Sequence, residues 1–131
     1  PLRMARMAAA IGSDGVIRQA PIVTGSAETI STRLLAPASA RLLAGDMRDA
    51  VTQGTGRLLR DHPSRIAGKT GTAEVDDAAS HGWFVGFAPH GAATRRVAFA
   101  VVMENAGYGG TSAAAVAGQL VTAAAARGLA K

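Results

Sequence analysis

The sequence has no cysteine, which excludes disulfides, thiolate metal sites and a cysteine nucleophile. It also lacks any apolar run near the ~20 residues that a membrane-spanning helix needs. Its three histidines, His62, His81 and His90, are scattered along the chain and match no metal-ligand spacing. The sequence is therefore interpreted as neither a transmembrane segment nor a thiol or metal site.

Aromatic residues are few, at 4% of the chain, and acidic residues are outnumbered, so that the formal net charge is +5. A basic balance can mark a nucleic-acid binder. Here the basic residues are spread along the chain, and the few aromatics offer little surface for stacking on bases. Nucleic acid is therefore not an expected partner, while salt-dependent attraction to an anionic polymer stays open.

The 131 residues, 48% of them apolar, suffice for one modest core. Apolar and turn patterns predict a helix from Pro1, a weak edge strand at 16–23, a loop at 24–32, a helix at 37–53, strands at 66–75, 82–88 and 97–103, and a last helix from Thr111 to a stop at Gly128. A polar connection is predicted at 76–80. This order predicts an α+β fold, with an antiparallel sheet covered by helices.

Each predicted helix has an apolar stripe that indicates its buried face. The stripes are Met4, Met7 and Ile11; Leu42, Leu43, Met47 and Val51; and Val116, Leu120 and Ala124. The strand at 97–103 is apolar on both faces, which predicts a central position in the sheet.

One stretch carries chemistry, Gly68-Lys69-Thr70-Gly71-Thr72-Ala73-Glu74. Its Gly-Lys-Thr could end a phosphate-binding loop, but that loop needs a glycine where this chain has Pro63, and the residues that follow favour a strand. The phosphate-loop interpretation is therefore excluded.

On a strand, the same residues could recognise a carboxylate and an oxyanion. Strand alternation places Lys69 on one face, with Thr70 and Thr72 on the other. Gly71 has no side chain, so a ligand can lie against the backbone there. The backbone N–H of Thr72 could stabilise a developing oxyanion, a contribution of about 3 kcal/mol per donor in acyl transfer.

The Lys69-Thr70-Gly71 box resembles the Lys-Thr-Gly box of penicillin-binding proteins. The helix at 37–53 that ends in Gly54-Thr55-Gly56, and the segment from His81 to Pro89 (His-Gly-Trp-Phe-Val-Gly-Phe-Ala-Pro), are similar in order and spacing to the C-terminal half of a monofunctional (class B) transpeptidase domain. The resemblance covers residues 1–131. It implies a β-lactamase/transpeptidase-like fold, with three main antiparallel strands covered by helices.

The resemblance also implies roles for individual residues. Lys69 would support the hydrogen-bonded network around a serine nucleophile. Gly71 and the hydroxyls of Thr70 and Thr72 would bind the D-Ala-D-Ala stem peptide of peptidoglycan, or a β-lactam that mimics it, through its carboxylate. The Thr72 N–H would form half of the oxyanion hole. No metal or organic cofactor is implied.

Further expectations concern neighbouring residues. Trp83 and Phe84 are expected to pack beside the strand rather than touch substrate. Thr55 is expected to shape a turn near the cleft.

The two other boxes of the family are absent. A Ser-x-x-Lys box would need serine at Ile66 or Gly128, and a Ser-x-Asn box would need it at Met103. Together with the abrupt start at Pro1, this predicts an incomplete domain that lacks the N-terminal portion with the nucleophile and is inactive alone. The unpaired edge of the 97–103 strand is expected to associate with that portion or with a second copy.

The intact parent is expected to be a serine-type D,D-transpeptidase that cross-links stem peptides outside the cytoplasmic membrane, held by an anchor that is not in this chain. Its septal or elongation role is open. Two alternatives also stay open: a serine β-lactamase or β-lactam sensor, and a non-catalytic binding or interaction module.

Overall fold

The computed structural model describes residues 1–19 and 30–131. Three α-helices and five β-strands follow one another along this part of the chain, with a short 3₁₀ helix at Arg57–Leu59. In chain order they are α1 (Leu2–Gly12), β1 (Val16–Gln19), β2 (Ile30–Arg33), α2 (Pro37–Thr52), β3 (Ala67–Val75), β4 (Ala78–Ala88), β5 (Val97–Met103) and α3 (Ser112–Ala126). The predicted α+β class, with a three-stranded antiparallel sheet and covering helices, is confirmed.

The two N-terminal strands depart from the prediction. Residues 20–23 of the predicted edge strand and 24–29 of the predicted loop lie outside the described residues. The loop prediction for residues 30–32 is wrong, because they belong to β2, which pairs antiparallel with β1. Ile30 and Thr32 are β-branched, and such side chains favour a strand over a loop.

The main sheet has the order β3-β4-β5, and every neighbouring pair is antiparallel. β4 is the central strand, so the prediction that 97–103 is central is wrong for the part of the chain described. The two apolar faces of β5 are explained by α1 and α3, which both pack against this strand, and helices can cover both faces of a strand that has only one strand neighbour. Both α1 and α3 pack against β4 and β5.

The core lies on the sheet face that α3 covers. Phe84 of β4 and Phe99 of β5 stack there, with ring centroids 6.1 Å apart and ring planes 8° from parallel. Side chains of α2, α3 and the 3₁₀ helix close the cluster around these rings, and its buried members include Val51, Leu59, Ile66, Val101, Ala117 and Val121. The expectation that Phe84 packs in the interior is confirmed.

The opposite sheet face carries α1. Phe87 of β4 lies under the C-terminal end of α1. The Phe87 ring lies so close to Gly12 that a Cβ at this position would be 3.1 Å from it. The Arg96 guanidinium lies over the same ring, 5.6 Å from its centroid, and donates hydrogen bonds to the carbonyls of Gly12 and Pro89. A cation at the C-terminal end of a helix is favourable because the helix dipole is negative there. This arginine therefore joins α1 to the end of β4.

Small residues, rather than the predicted stripes, form most of the buried helix faces. Met4, Met7, Leu42, Leu43 and Leu120 are all exposed, whereas the buried helical positions are Ala8, Ala10, Ala40, Val51, Ala113, Ala114, Ala117, Gly118, Val121 and Ala124. Of the predicted positions, Val51 and Ala124 are buried. Helices lined with alanine can approach a sheet more closely than helices lined with leucine, which explains the difference. None of the helices described is long and apolar enough to cross a membrane.

The turn between β3 and β4 is shorter than the polar connection predicted at 76–80. Val75 pairs with Ala78, so that Asp76 and Asp77 alone make the turn. Asp77 has a φ of 55°, a left-handed conformation that aspartate tolerates better than most residues. The tight turn extends β4 to eleven residues and makes β3 and β4 a long hairpin.

Candidate active site

The Lys-Thr-Gly segment lies in β3 where this strand passes from the interior to solvent. Gly68 is buried and Thr70 is 8% exposed, whereas Thr72 is exposed. β3 is hydrogen-bonded to β4 along one edge, and the other edge has no neighbouring strand among residues 1–19 and 30–131. An open edge presents backbone N–H and C=O groups with which an extended peptide can pair.

The register of the hairpin fixes which side chains share a face. Thr70 lies opposite Phe84 and Thr72 opposite Gly82, so both threonines are on the face that α3 covers. Lys69 lies opposite Val85, on the other face. The side chains of the two threonines thus start from one face of the strand, and the Lys69 side chain starts from the other.

Thr70 is held by a residue that is distant in sequence. Its Oγ1 is 2.5 Å from Oγ1 of Thr55, in the turn that follows α2. This turn is itself fixed, because the N–H groups of Gly54 and Gly56 donate to the carbonyls of Asp49 and Ala50 at the end of α2. The hydroxyl of Thr70 therefore joins β3 to the C-terminal end of α2.

The Lys69 side chain bends around the strand towards Thr70. Its Nζ donates to the Thr70 carbonyl at 3.0 Å and lies 3.5 Å from Thr70 Oγ1. The ammonium group thereby adds positive charge beside the buried hydroxyl. A positive charge in this place would favour an anionic ligand at the strand.

The glycine-rich loop after β5 lies against the same end of the hairpin. A side chain at Gly109 would overlap the backbone of Gly71 and Trp83, and one at Gly82 would press on Ser112 Oγ, 2.7 Å away. The Gly107 N–H donates to the Ser80 carbonyl, which fixes the loop at this position. The absence of these side chains lets the loop lie flat on β3 and β4, directly behind Gly71.

A cavity of about 540 Å³ opens beside Thr55. Its lining comes from the turn after α2, the 3₁₀ helix and the glycine-rich loop, and consists of Gln53, Gly54, Thr55, Arg57, Leu58, Tyr108, Gly110 and Thr111. The Arg57 side chain is exposed. Arg57 and Thr55 therefore line the same cavity.

The fold lowers the pKa values of two residues outside this segment. Burial lowers the pKa of Arg48, whose guanidinium donates to the carbonyls of Ile66 and Arg60. Burial also lowers the pKa of His90, with further lowering by Arg65, Arg48 and Arg96. In the part of the chain described, no group of three His, Asp or Glu side chains is placed to hold a metal ion.

Sequence reasoning did not find two of these contacts. The Thr55–Thr70 hydrogen bond joins residues fifteen positions apart, and only the flanking glycines of Thr55 mark its turn as special. The contact of Gly109 with Gly71 joins the last loop to β3. The run of glycines at 107–110 is visible in the sequence, but it does not indicate which surface this loop covers.

An antiparallel sheet packed against helices, with Lys-Thr-Gly on an edge strand, is the arrangement that the resemblance to penicillin-binding proteins implies. The family model of the penicillin-binding protein transpeptidase domain matches residues 1–122. The chain therefore belongs to the penicillin-binding protein transpeptidase domain family.

Individual relatives agree with this family. The peptidoglycan D,D-transpeptidase MrdA of Acinetobacter baumannii is 42% identical over 51% of this chain, a match that covers 12% of MrdA. The D,D-transpeptidase domain of a peptidoglycan glycosyltransferase from Eggerthella lenta has a TM-score of 0.74 at 29% identity, over 98% of this chain and 32% of that structure. Penicillin-binding protein A of M. tuberculosis, solved as an imipenem acyl-enzyme complex, has a TM-score of 0.63 at 27% identity, over 92% and 30%.

These relatives are much longer than the chain. The chain spans about an eighth of MrdA and about a third of each of the two solved structures.

Proposed function

We propose that this chain forms one wall of the active site of a peptidoglycan D,D-transpeptidase. The observation that carries the proposal is the position of Lys69-Thr70-Gly71-Thr72 on an open strand edge, at the boundary between core and solvent. A peptide that pairs with this edge would bring its carboxylate to the two threonine hydroxyls and to the Lys69 ammonium. Hydrogen bonds to a charged group contribute about 1.5–3 kcal/mol each, enough to select a carboxylate-bearing substrate.

The proposed reaction is acyl transfer. A serine outside this chain attacks the carbonyl of the penultimate D-Ala, the terminal D-Ala leaves, and an amine of a neighbouring stem peptide resolves the acyl-enzyme. The Thr72 N–H would donate to the oxyanion that develops on the attacked carbonyl. Lys69 would order the hydrogen bonds around the nucleophile. This assignment rests on the family, in which the M. tuberculosis relative forms an acyl-enzyme with imipenem.

The nucleophile is assigned to another segment because the chain has no Ser-x-x-Lys box. Residues 1–131 would then be the C-terminal portion of the domain, and they would be inactive alone. Two surfaces support a need for further structure. One is the outer edge of β5, which has no neighbouring strand among residues 1–19 and 30–131. The other is an apolar groove of about 240 Å³ lined by Met7, Ala10, Ile11, Leu34, Leu35 and Leu43. We assign the groove to the rest of the same domain. Without that portion, the isolated chain should associate through these surfaces, and a stable monomer in light scattering would contradict the need for further structure.

The proposed location of the protein is the outer side of the cytoplasmic membrane, where peptidoglycan is cross-linked. The chain would reach it as part of a protein that is anchored through another segment. Labelling of intact cells by a β-lactam that does not enter the cytoplasm would show this location. Protection of the protein until the cells are lysed would contradict it.

The test uses the intact protein that contains this chain and a fluorescent penicillin. Replacement of Thr72 by valine removes the hydroxyl and keeps the shape, and it should slow acylation by about tenfold or more. Thr32→Val is the matched control, since Thr32 is also an exposed strand threonine and lies in β2. Equal labelling of the Thr72 variant and the unchanged protein would exclude the Thr72 hydroxyl from carboxylate binding.

The same experiment separates the alternatives. A β-lactamase would release the label rapidly by hydrolysis, whereas a transpeptidase or a sensor would keep it. A non-catalytic module would not be labelled. Cross-linking of stem peptides by the purified protein then distinguishes the transpeptidase from the sensor.

A further inference from the structure

The contact between Thr55 and Thr70 has a feature that the proposed function does not explain. Among the residues described, Thr70 is the only buried residue with a polar side chain, and it is 8% exposed. A buried hydroxyl is costly unless it is hydrogen-bonded, and water reaches this one poorly. Its side-chain partners are Thr55 Oγ1 at 2.5 Å and the Lys69 ammonium at 3.5 Å.

The hydrogen-bonding capacity of a hydroxyl limits what Thr70 can do. A threonine hydroxyl has one proton to donate and two lone pairs to accept with. An ammonium group can only donate, so the Lys69 contact uses one lone pair of Thr70. If Thr55 also donates, both lone pairs are used and the single Thr70 proton must go to a third group. If Thr55 accepts instead, Thr70 donates its only proton to Thr55 and cannot donate it to a ligand.

The position of Thr55 is set by rigid parts of the structure. Gly56 lies so close to Val51 and Phe84 that a Cβ there would be 3.2–3.3 Å from their side chains, and a side chain at Gly110 would meet the Thr55 carbonyl. The Thr55 hydroxyl is therefore presented to β3 by a turn that packs on the core and against the loop before α3. A fixed group of this kind can hold one rotamer of its neighbour.

We propose that Thr55 is a positioning residue which donates its hydroxyl proton to Thr70, so that the Thr70 proton is aimed at the carboxylate of the bound ligand. This inference rests on the proposed function, because it deepens the role of the same strand. It makes the turn after α2 part of the carboxylate recognition. Thr55 itself does not contact the reacting atoms.

The experiment measures acylation rates of the intact protein by mass spectrometry, with benzylpenicillin and with its methyl ester, which has no free carboxylate. Thr55→Val keeps the shape and removes the hydroxyl. It should slow acylation by benzylpenicillin about tenfold, the effect of one lost hydrogen bond, and should slow acylation by the ester much less. A general structural defect would slow both compounds equally, so the ratio of the two rates reports positioning.

Two further variants complete the design. Thr55→Ser keeps a donor hydroxyl and should restore the ratio of rates measured for the unchanged protein. Thr52→Val is the matched control: Thr52 is a partly exposed threonine in the last turn of α2, and its hydroxyl donates to the carbonyl of Asp49. This control should leave the ratio unchanged.

The outcomes separate the two proposals. If the unchanged protein is acylated and Thr55→Val has the same ratio of rates, the positioning role is wrong and the proposed function stands. If Thr55→Val folds too poorly to assay, an unchanged ratio in Thr55→Ala overturns the positioning role in the same way. If the unchanged protein is not acylated by benzylpenicillin, the proposed function fails and the positioning role fails with it.

Discussion

The two halves of the β3–β4 hairpin differ in what surrounds them. The half that contains Gly68 and Phe84 is buried between helices, while the half beyond Thr72 is exposed up to the turn at Asp76 and Asp77. Lys69-Thr70-Gly71 lies at the junction. The buried half fixes the backbone of the strand, and the exposed half leaves its edge open to a ligand. A recognition strand needs both conditions within a few residues.

The largest expected effect comes from a change in the buried half. Phe84 is fully buried and stacks on Phe99. Phe84→Ala should lower the free energy of unfolding by about 3–5 kcal/mol, since it removes apolar contacts and leaves a cavity. The matched change in the exposed half, Val75→Ala, should change the free energy of unfolding by no more than about 0.5 kcal/mol. Urea unfolding of both variants measures this, and similar losses would contradict the contrast between the halves.

Two glycines of β3, one in the buried half and one at the junction, differ in the space available for a side chain. A Cβ at Gly68 would press on the buried Phe84 ring and lie 2.8 Å from the Val85 carbonyl oxygen, whereas a Cβ at Gly71 would meet only Trp83, at 3.3 Å. Gly68→Ala should therefore destabilise the protein by about 1–3 kcal/mol, because neither neighbour can move freely. Gly71→Ala should destabilise it less and act mainly on β-lactam labelling. A larger fall in melting temperature for Gly71→Ala than for Gly68→Ala would contradict the division of the hairpin into a buried and an exposed half.

The smallest effect is a pH dependence of the buried end of the hairpin, where His90 follows β4. Burial, and then Arg65, Arg48 and Arg96, hold the pKa of His90 below its ordinary value of 6.5. The unfolded chain therefore binds this proton more readily than the folded chain, and acid favours unfolding. The stability contribution of a neutral His90 is complete above pH 6.5 and is lost as the pH falls from 6.5 towards the lowered pKa of the folded state.

His90→Gln removes this titration, so its stability should fall less steeply below pH 6.5. The measurement is the urea midpoint of both proteins as a function of pH. His62→Gln is the control, as a second histidine of the chain. Parallel pH curves for His90→Gln and the unchanged protein would contradict the effect of burial on His90.

The elements other than β2, and their order, could be predicted from the sequence because they depend on local signals. Pro37 begins α2, Gly128 follows α3 with a φ of 70°, and Pro89 follows the last residue of β4. These residues restrict the backbone wherever they occur. The strand that carries Lys69 and Thr70 could be identified for the same reason.

The buried helix faces could not be predicted in this way. The apolar stripes predict Leu42 and Met7 in the core, but both are exposed, whereas Ala40 and Ala8 are buried. Hydrophobicity favours the larger residues, but the distance between helix and sheet is decided by tertiary packing, which the sequence does not display. The position of β5 could not be predicted either, because an apolar pattern indicates that both faces are covered but does not indicate whether a strand lies along each edge. The Thr55–Thr70 contact depends on that packing too.

The most direct measurement of the central claim is mass spectrometry after incubation with benzylpenicillin, for the 131-residue chain and for the intact protein in parallel. We expect no adduct on the isolated chain, because it has the Lys-Thr-Gly wall without a Ser-x-x-Lys nucleophile. We expect a stable penicilloyl adduct on the intact protein. A stable adduct on the isolated chain would mean that one of its own serines or threonines is the nucleophile, and would contradict the assignment of this chain to a wall of the site.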